Sequence, residues 1–196
     1  MCAGASPRDS ARLDLKAGTL LSCVTGTPYA MHDERAVANF LLDQADLAGV
    51  GISHLSLQKL LFFAHAWHLA QFDRPLVIGT FQAWRFGPVL RAVYDSFRMA
   101  GKKPIRIRAT KLDLATGTFV VCDEALSDEV QELLVAVMAS GASLPSWYLS
   151  ELTHRQGSPW EVIWKRASNE VNVGMKIPNE LIRQYFLTSA APLPRS

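Results

Sequence analysis

The chain has 196 residues, enough for one domain with a buried core. Apolar residues make up 49% and charged residues 19%, which argues against a disordered chain. A formal net charge of +2 argues against a polyanion binder working through overall charge.

Residues 1–30 mix small residues, scattered charges and Gly, Thr and Pro without a sustained period. They are expected to form a disordered or loosely packed N-terminal extension. "LLSC" (Leu20–Cys23) resembles a lipoprotein cleavage site. The apolar run before it falls short of the ~7–15 residues export requires, and Arg8, Asp9, Asp14 and Lys16 crowd it. No stretch reaches the ~18 uninterrupted apolar residues of a membrane span, so the expected location is the cytoplasm. Three cysteines without repeated spacing, Cys2, Cys23 and Cys122, argue against a disulfide framework or zinc knuckle and fit a reducing compartment. Met31 stands just before the first periodic segment and is a candidate natural start.

A helix is expected from Asp33, with Val37, Phe40, Leu41, Ala45 and Leu47 on one face and "AGVGIS" ending it. "LQKLLFFAHAWHLAQFDRPL" (57–76) is expected to be a second helix, capped by Ser56 and running to Phe72 before Pro75. It is apolar nearly all round, the signature of a buried helix. "FQAWRFGPVL" (81–90) reads as a short strand at 81–85, a Gly-Pro turn, and a helix to Met99 with Pro88 in its first turn. "IRIRAT" (105–110) alternates strictly, predicting a strand, and "TGTFVVC" (116–122) a returning one. Ser127 opens a helix burying Val130, Leu133, Leu134 and Val137, and another begins near Pro145. Ser158, Pro159 and Glu161 form a capping box for the next. A short helix covers 178–186, and 189–196 is expected to be a flexible tail. The expected fold is α+β: about six helices around the central 57–72 helix, with one small antiparallel sheet from 81–85, 105–110 and 116–122. The domain is placed at 31–188.

No catalytic residue, cofactor-binding residue or metal centre stands out. His65 and His68 could share one metal from one helix face. "HAWH", however, lacks the glutamate of HExxH, and a zinc site normally needs three or four ligands; two separately hydrogen-bonded histidines are the simpler reading. Cys122 has no histidine nearby in sequence and reads as an inert thiol. Arg98, Lys102, Lys103, Arg106, Arg108 and Lys111 fall in a stretch free of Asp and Glu, with Arg106 and Arg108 expected on the outer face of a strand. Such a patch suits a solvated face that discourages edge pairing, an acidic protein partner, or, least well, nucleic acid. Of the five tryptophans (67, 84, 147, 160 and 164), most are expected in the core, with one or two at an exposed edge as partner anchors.

Three blocks occur in order: "LQKLLFFAHAWHLAQFDRPL", "QAWRFGPVLRAVYDSF" and "LSELTHRQGSPW". Together they resemble the SocA-like antitoxin domain, also called the Panacea domain and formerly a phage-associated protein family, over about Val37–Trp164. Lys59, Leu60, Trp67, His68, Leu69, Trp84, Gly87, Pro88, Val89 and Tyr94 match the first two blocks. Leu152, Thr153, His154, Pro159 and Trp160 match the third. Phe62 and Phe63 stand where tyrosines are common in the family and His65 where glutamine is common, which changes polar capacity at those places. The resemblance implies a non-enzymatic, cytoplasmic bacterial antitoxin that neutralises a co-encoded toxin by protein–protein contact. Some members resemble proteolytic adaptors that hand the toxin to a ClpXP-type protease. The competing readings are a nucleic-acid-binding regulator using residues 98–111 and a metal-dependent enzyme using His65 and His68.

Overall fold

The computed structural model describes residues 31–169 and 175–188. The expectations for 1–30 and for 189–196 lie outside the described residues. Within them, seven α-helices and four short strands follow one another. They are α1 (Glu34–Leu47), α2 (His54–Phe72), β1 (Gln82–Trp84), β2 (Gly87–Val89), α3 (Arg91–Phe97), β3 (Thr110–Asp113), β4 (Thr118–Val121), α4 (Asp128–Gly141), α5 (Ser146–Thr153), α6 (Pro159–Asn169) and α7 (Asn179–Thr188). The fold is α+β and mostly helical. No single helix among the described residues is long and apolar enough to cross a membrane.

α2 is the axis of the molecule. Every residue from Ser56 to Trp67 is buried, and α1, α3, α4, α5 and α7 all pack against it. A helix surrounded on all sides needs apolar residues on all sides, as its sequence provides. Ser53, not Ser56, caps it: Ser53 is extended (φ −79°, ψ 159°) and its Oγ accepts from the Ser56 N–H at 3.2 Å. The helix therefore starts one turn earlier than the sequence suggests. It ends at Asp73, a left-handed residue (φ 57°) whose N–H bonds the Leu69 carbonyl. Phe62 packs edge-on against Phe81 and Phe186, and both Phe62 and Phe63 are fully buried in the apolar core.

Asp33 caps α1, accepting from the Arg35 N–H at 2.9 Å. Val37, Leu41 and Ala45 point inward as expected, whereas Leu47 is exposed and Phe40 only partly covered. Leu42 and Asn39 are buried instead. Asn39 spans the base of the β3–β4 hairpin. Its Nδ2 donates to the carbonyls of Ala109 (3.0 Å) and Cys122 (2.8 Å), and its Oδ1 accepts from the Ala109 N–H (2.8 Å).

The expected single sheet is two separate antiparallel hairpins, β1–β2 and β3–β4. Gly87 and Pro88 do not open a helix. They form β2, which folds back on β1 with Trp84 opposite Gly87 and Gln82 opposite Val89, around the two-residue turn Arg85–Phe86. Proline is tolerated because Pro88 sits opposite Ala83, whose N–H turns away to the Met175 carbonyl, so the ladder between β1 and β2 needs no N–H from this position. The "IRIRAT" segment is not a strand. Ile105 and Ala109 are buried, but Ile105 N–H bonds the Ile52 carbonyl and Arg108 turns toward α1, so ladder pairing starts only at Thr110. Ser127 precedes α4 as expected, with its hydroxyl on Glu129 rather than on the backbone. Ser158 Oγ accepts from the Glu161 N–H, and the Glu161 carboxylate reaches back to the Gly157 N–H at 2.7 Å, one residue beyond the cap.

Candidate functional site

The three sequence blocks meet in space. Lys59 of α2 is 0% exposed, and its Nζ donates to the Pro88 carbonyl at 3.0 Å. Beside it, Gln58 uses both ends of its amide on Leu90: Oε1 accepts from the N–H at 2.9 Å and Nε2 donates to the carbonyl at 3.3 Å. Two consecutive polar residues on a buried helix thus fix the β2 strand to the axis of the fold. Gly87 is required here for two reasons. Its φ is +104°, and a Cβ would lie 2.6 Å from Lys59 Nζ and 2.8 Å from Thr153 Oγ1. The backbone of β2 is therefore pressed between the lysine of the first block and the threonine of the third.

Burial alone drives the Lys59 amine down to about 7. His54, at the start of α2, and His154, just after α5, both have a buried Nε2 without a described hydrogen-bond partner. Burial, and behind it the Lys59 charge, pulls both imidazoles below the ordinary histidine range. Around this centre lies a run of ring contacts, edge-on and tilted on the Tyr94 side and stacked on the Trp160 side. His54 meets Tyr94 at 5.0 Å, Tyr94 meets Trp84 at 4.8 Å, His154 stacks on Trp160 at 3.6 Å, and Trp160 stacks on Trp164 at 5.3 Å. Trp160 Nε1 donates to the Trp84 carbonyl at 2.8 Å, closing the ring between the second and third blocks. Ser158, in the third block, donates to the Thr153 carbonyl at 2.8 Å, and Pro159 begins α6 directly after it.

The family model described as antitoxin SocA-like, Panacea domain, matches residues 57–161, the span that carries these contacts except those of His54 and Trp164. The chain belongs to the SocA-like antitoxin family. A relative, Antitoxin SocA of Caulobacter vibrioides (strain NA1000 / CB15N), is 38% identical over 154 residues, covering 79% of this chain and 82% of that protein. No solved structure matches.

Of the SocA-like motif residues, Lys59, Trp84, Gly87, Pro88, Val89, Tyr94, Thr153, His154, Pro159 and Trp160 belong to this assembly or its immediate supports. Trp67 and His68 do not. Trp67 packs edge-on against Phe186 of α7 at 5.6 Å. His68 Nδ1 bonds the Arg74 carbonyl at 2.7 Å, stapling the end of α2. His65 Nε2 bonds Asn179 Oδ1 at 3.0 Å, and burial pushes its imidazole down to about 4. His65 and His68 thus serve different partners.

The basic segment is partly neutralised. Arg108 bonds Asp43 (Nε, 2.7 Å) and Asp46 (Nη2, 2.6 Å) of α1, and Arg106 lies 3.6 Å from Asp46. Neither sits in a strand. Arg98, Lys102, Lys103 and Lys111 take part in no described ion pair. Sequence reasoning did not single out His54, Gln58 or Asn39 for these roles. Gln58 carried a signal, being a polar residue beside Lys59 inside an apolar run; Asn39 carried none.

Two large rings stand outside the buried centre. Phe86, at the tip of β1–β2, is 62% exposed, and Trp147, in the first turn of α5, is 65% exposed. Ser150, one helical turn after Trp147 on the same face of α5, donates to the Phe86 carbonyl at 3.5 Å, so the β1–β2 turn packs beside the helix face that carries Trp147. Arg85 lies over the Phe86 ring at 5.5 Å.

Proposed function

We propose that this chain is an antitoxin that neutralises a co-encoded toxin by direct protein–protein binding. Its membership of the SocA-like family supports the role. The observation that carries the mechanism is the exposed Phe86–Trp147 pair on a rigid base. Aromatic and arginine anchors dominate binding energy when the elements beneath them are already ordered. Here Lys59, Gln58 and Thr153 fix the backbone beneath the Phe86 turn, so the rings and Arg85 bind with little ordering cost. Arg98, Lys102, Lys103 and Lys111 supply the free positive charge that steers an acidic toxin surface; Arg108 is engaged within the fold. The Lys59 centre is scaffolding in this reading and carries out no reaction, since its amine is sealed from solvent.

The test is growth after induction of the adjacent gene, with and without this chain, paired with co-purification of the two products. Rescue together with retention is the expected result. A harmless neighbour, or one that is never retained, contradicts the reading. Toxin half-life then separates two modes: an unchanged half-life means sequestration, and a shortened one that depends on a ClpXP-type protease means adaptor-driven degradation.

A further inference from the structure

The β3–β4 hairpin carries an exposed apolar face and one open edge. Residues Thr110 and Leu112 of β3 lie opposite Val121 and Phe119 of β4 and share one face. Leu112 is 49%, Phe119 75% and Val121 52% exposed, although side chains of this kind normally pack. The phase of the ladder is fixed by the bond from the Cys122 N–H to the Ala109 carbonyl. Pairs Ala109–Cys122, Lys111–Val120 and Asp113–Thr118 are then the hydrogen-bonded ones. The main-chain groups of Thr110 and Leu112 point away from the hairpin on the β3 side, and those of Phe119 and Val121 on the β4 side.

The two edges differ. On the β3 side, Arg35 Nη1 of α1 lies 3.4 Å from the Thr110 carbonyl, and Lys111 and Asp113 put charges along the strand. These are the devices that guard an edge against pairing. On the β4 side, no described residue bonds the main-chain groups of Phe119 or Val121. The nine residues from Leu114 to Cys122 carry no charge and no proline. Such a strand is an open pairing template.

We propose that β4 pairs with β4 of a second copy of this chain across a two-fold axis centred on Val120, joining two hairpins into one four-stranded antiparallel sheet. The occupant follows from the chemistry of the strand. A two-fold contact requires a surface complementary to itself. Centred on Val120, Phe119 of each copy faces Val121 of the other, and both residues present their free N–H and C=O outward, so each pair exchanges two hydrogen bonds. Leu112, Phe119 and Val121 of both copies then line one continuous apolar face. The charges permit it: the nearest charged residue after β4, Asp123, falls opposite the uncharged Gly117 of the other copy, so no like charges meet.

The test is sedimentation of the full chain over a concentration series, for the wild type and for Phe119→Lys, Val121→Lys and Val121→Glu. The wild type is expected to dimerise. Each variant should raise the dimer dissociation constant about tenfold or more, by placing a charge at the edge. Thermal melts at concentrations where the wild type is monomeric should stay unchanged, since both side chains are exposed in the single chain. Mixing Phe119→Lys with Val121→Glu chains should restore a heterodimer, because only this register sets the new lysine against the new glutamate. A wild type that stays monomeric overturns the proposal, as does a dimer the variants leave intact or a mixture that fails to recover. A monomeric wild type whose Phe119→Lys variant loses the adjacent gene product would give the edge to the toxin instead, and equally overturns it.

Discussion

Lys59 shows how much one side chain can organise. A buried ammonium is costly, and this one has no carboxylate to balance it. Burial lowers its pKa from the usual 10.5 to about 7. Between those values the unfolded chain binds a proton that the folded chain does not, so stability should rise with pH across that window. His65 acts in the same direction lower down, with its imidazole at about 4 against the usual 6.5, so stability should also rise as pH climbs from about 4 to 6.5. Denaturant melts from pH 4 to 10 measure both effects. Lys59→Met should remove the alkaline rise and leave the acid one; a wild type that is flat above pH 7 would contradict the burial of a neutral amine. The residue itself was legible in the sequence as part of a motif. Its role was not, because the acceptor is a backbone carbonyl 29 positions away and the close neighbour is Gly87, which has no side chain to announce the contact.

At the level of elements, periodicity located the helices well: α4 buries the stripe its apolar spacing predicts, α2 is buried all round as its composition predicts, and α1 buries Val37, Leu41 and Ala45 but leaves Leu47 exposed. Strands were harder. Alternation in "IRIRAT" has the period of a strand, but Arg108 spends its alternate position on Asp43 and Asp46, and the backbone there bonds to residues from the α1–α2 connection and α1 rather than to a ladder. Pro88 misled for a similar reason: its position before a helical stretch is shared by a helix start and a strand end. The hairpin that does form depends on Asn39. Asn39→Ala removes three bonds and strands the Ala109 N–H in a buried place, at a cost of about 2–4 kcal/mol. Thermal unfolding should show the loss, and amide exchange at Ala109 should accelerate more than exchange in the middle of α2. Equal acceleration at both places would mean that Asn39 supports the whole core rather than the hairpin base.

For the whole molecule, the sequence blocks mark a shared scaffold more than a contact surface. Most of the motif residues turn inward, where they lock the β1–β2 hairpin between α2, α5 and α6. The residues best placed to meet a partner, Phe86 and Trp147, are exposed, and nothing in a single sequence separates an exposed ring from a core one. Burial is a property of the assembled fold, and five tryptophans spaced through the chain look alike before it forms.

The most direct measurement is the dissociation constant of the purified chain for the product of the adjacent gene, by titration calorimetry, for the wild type and for Phe86→Ala and Trp147→Ala. Direct neutralisation through this surface predicts measurable binding, weakened about tenfold to a hundredfold by each substitution with melting unchanged. No heat of binding for the wild type, or equal affinity for all three proteins, would contradict the account.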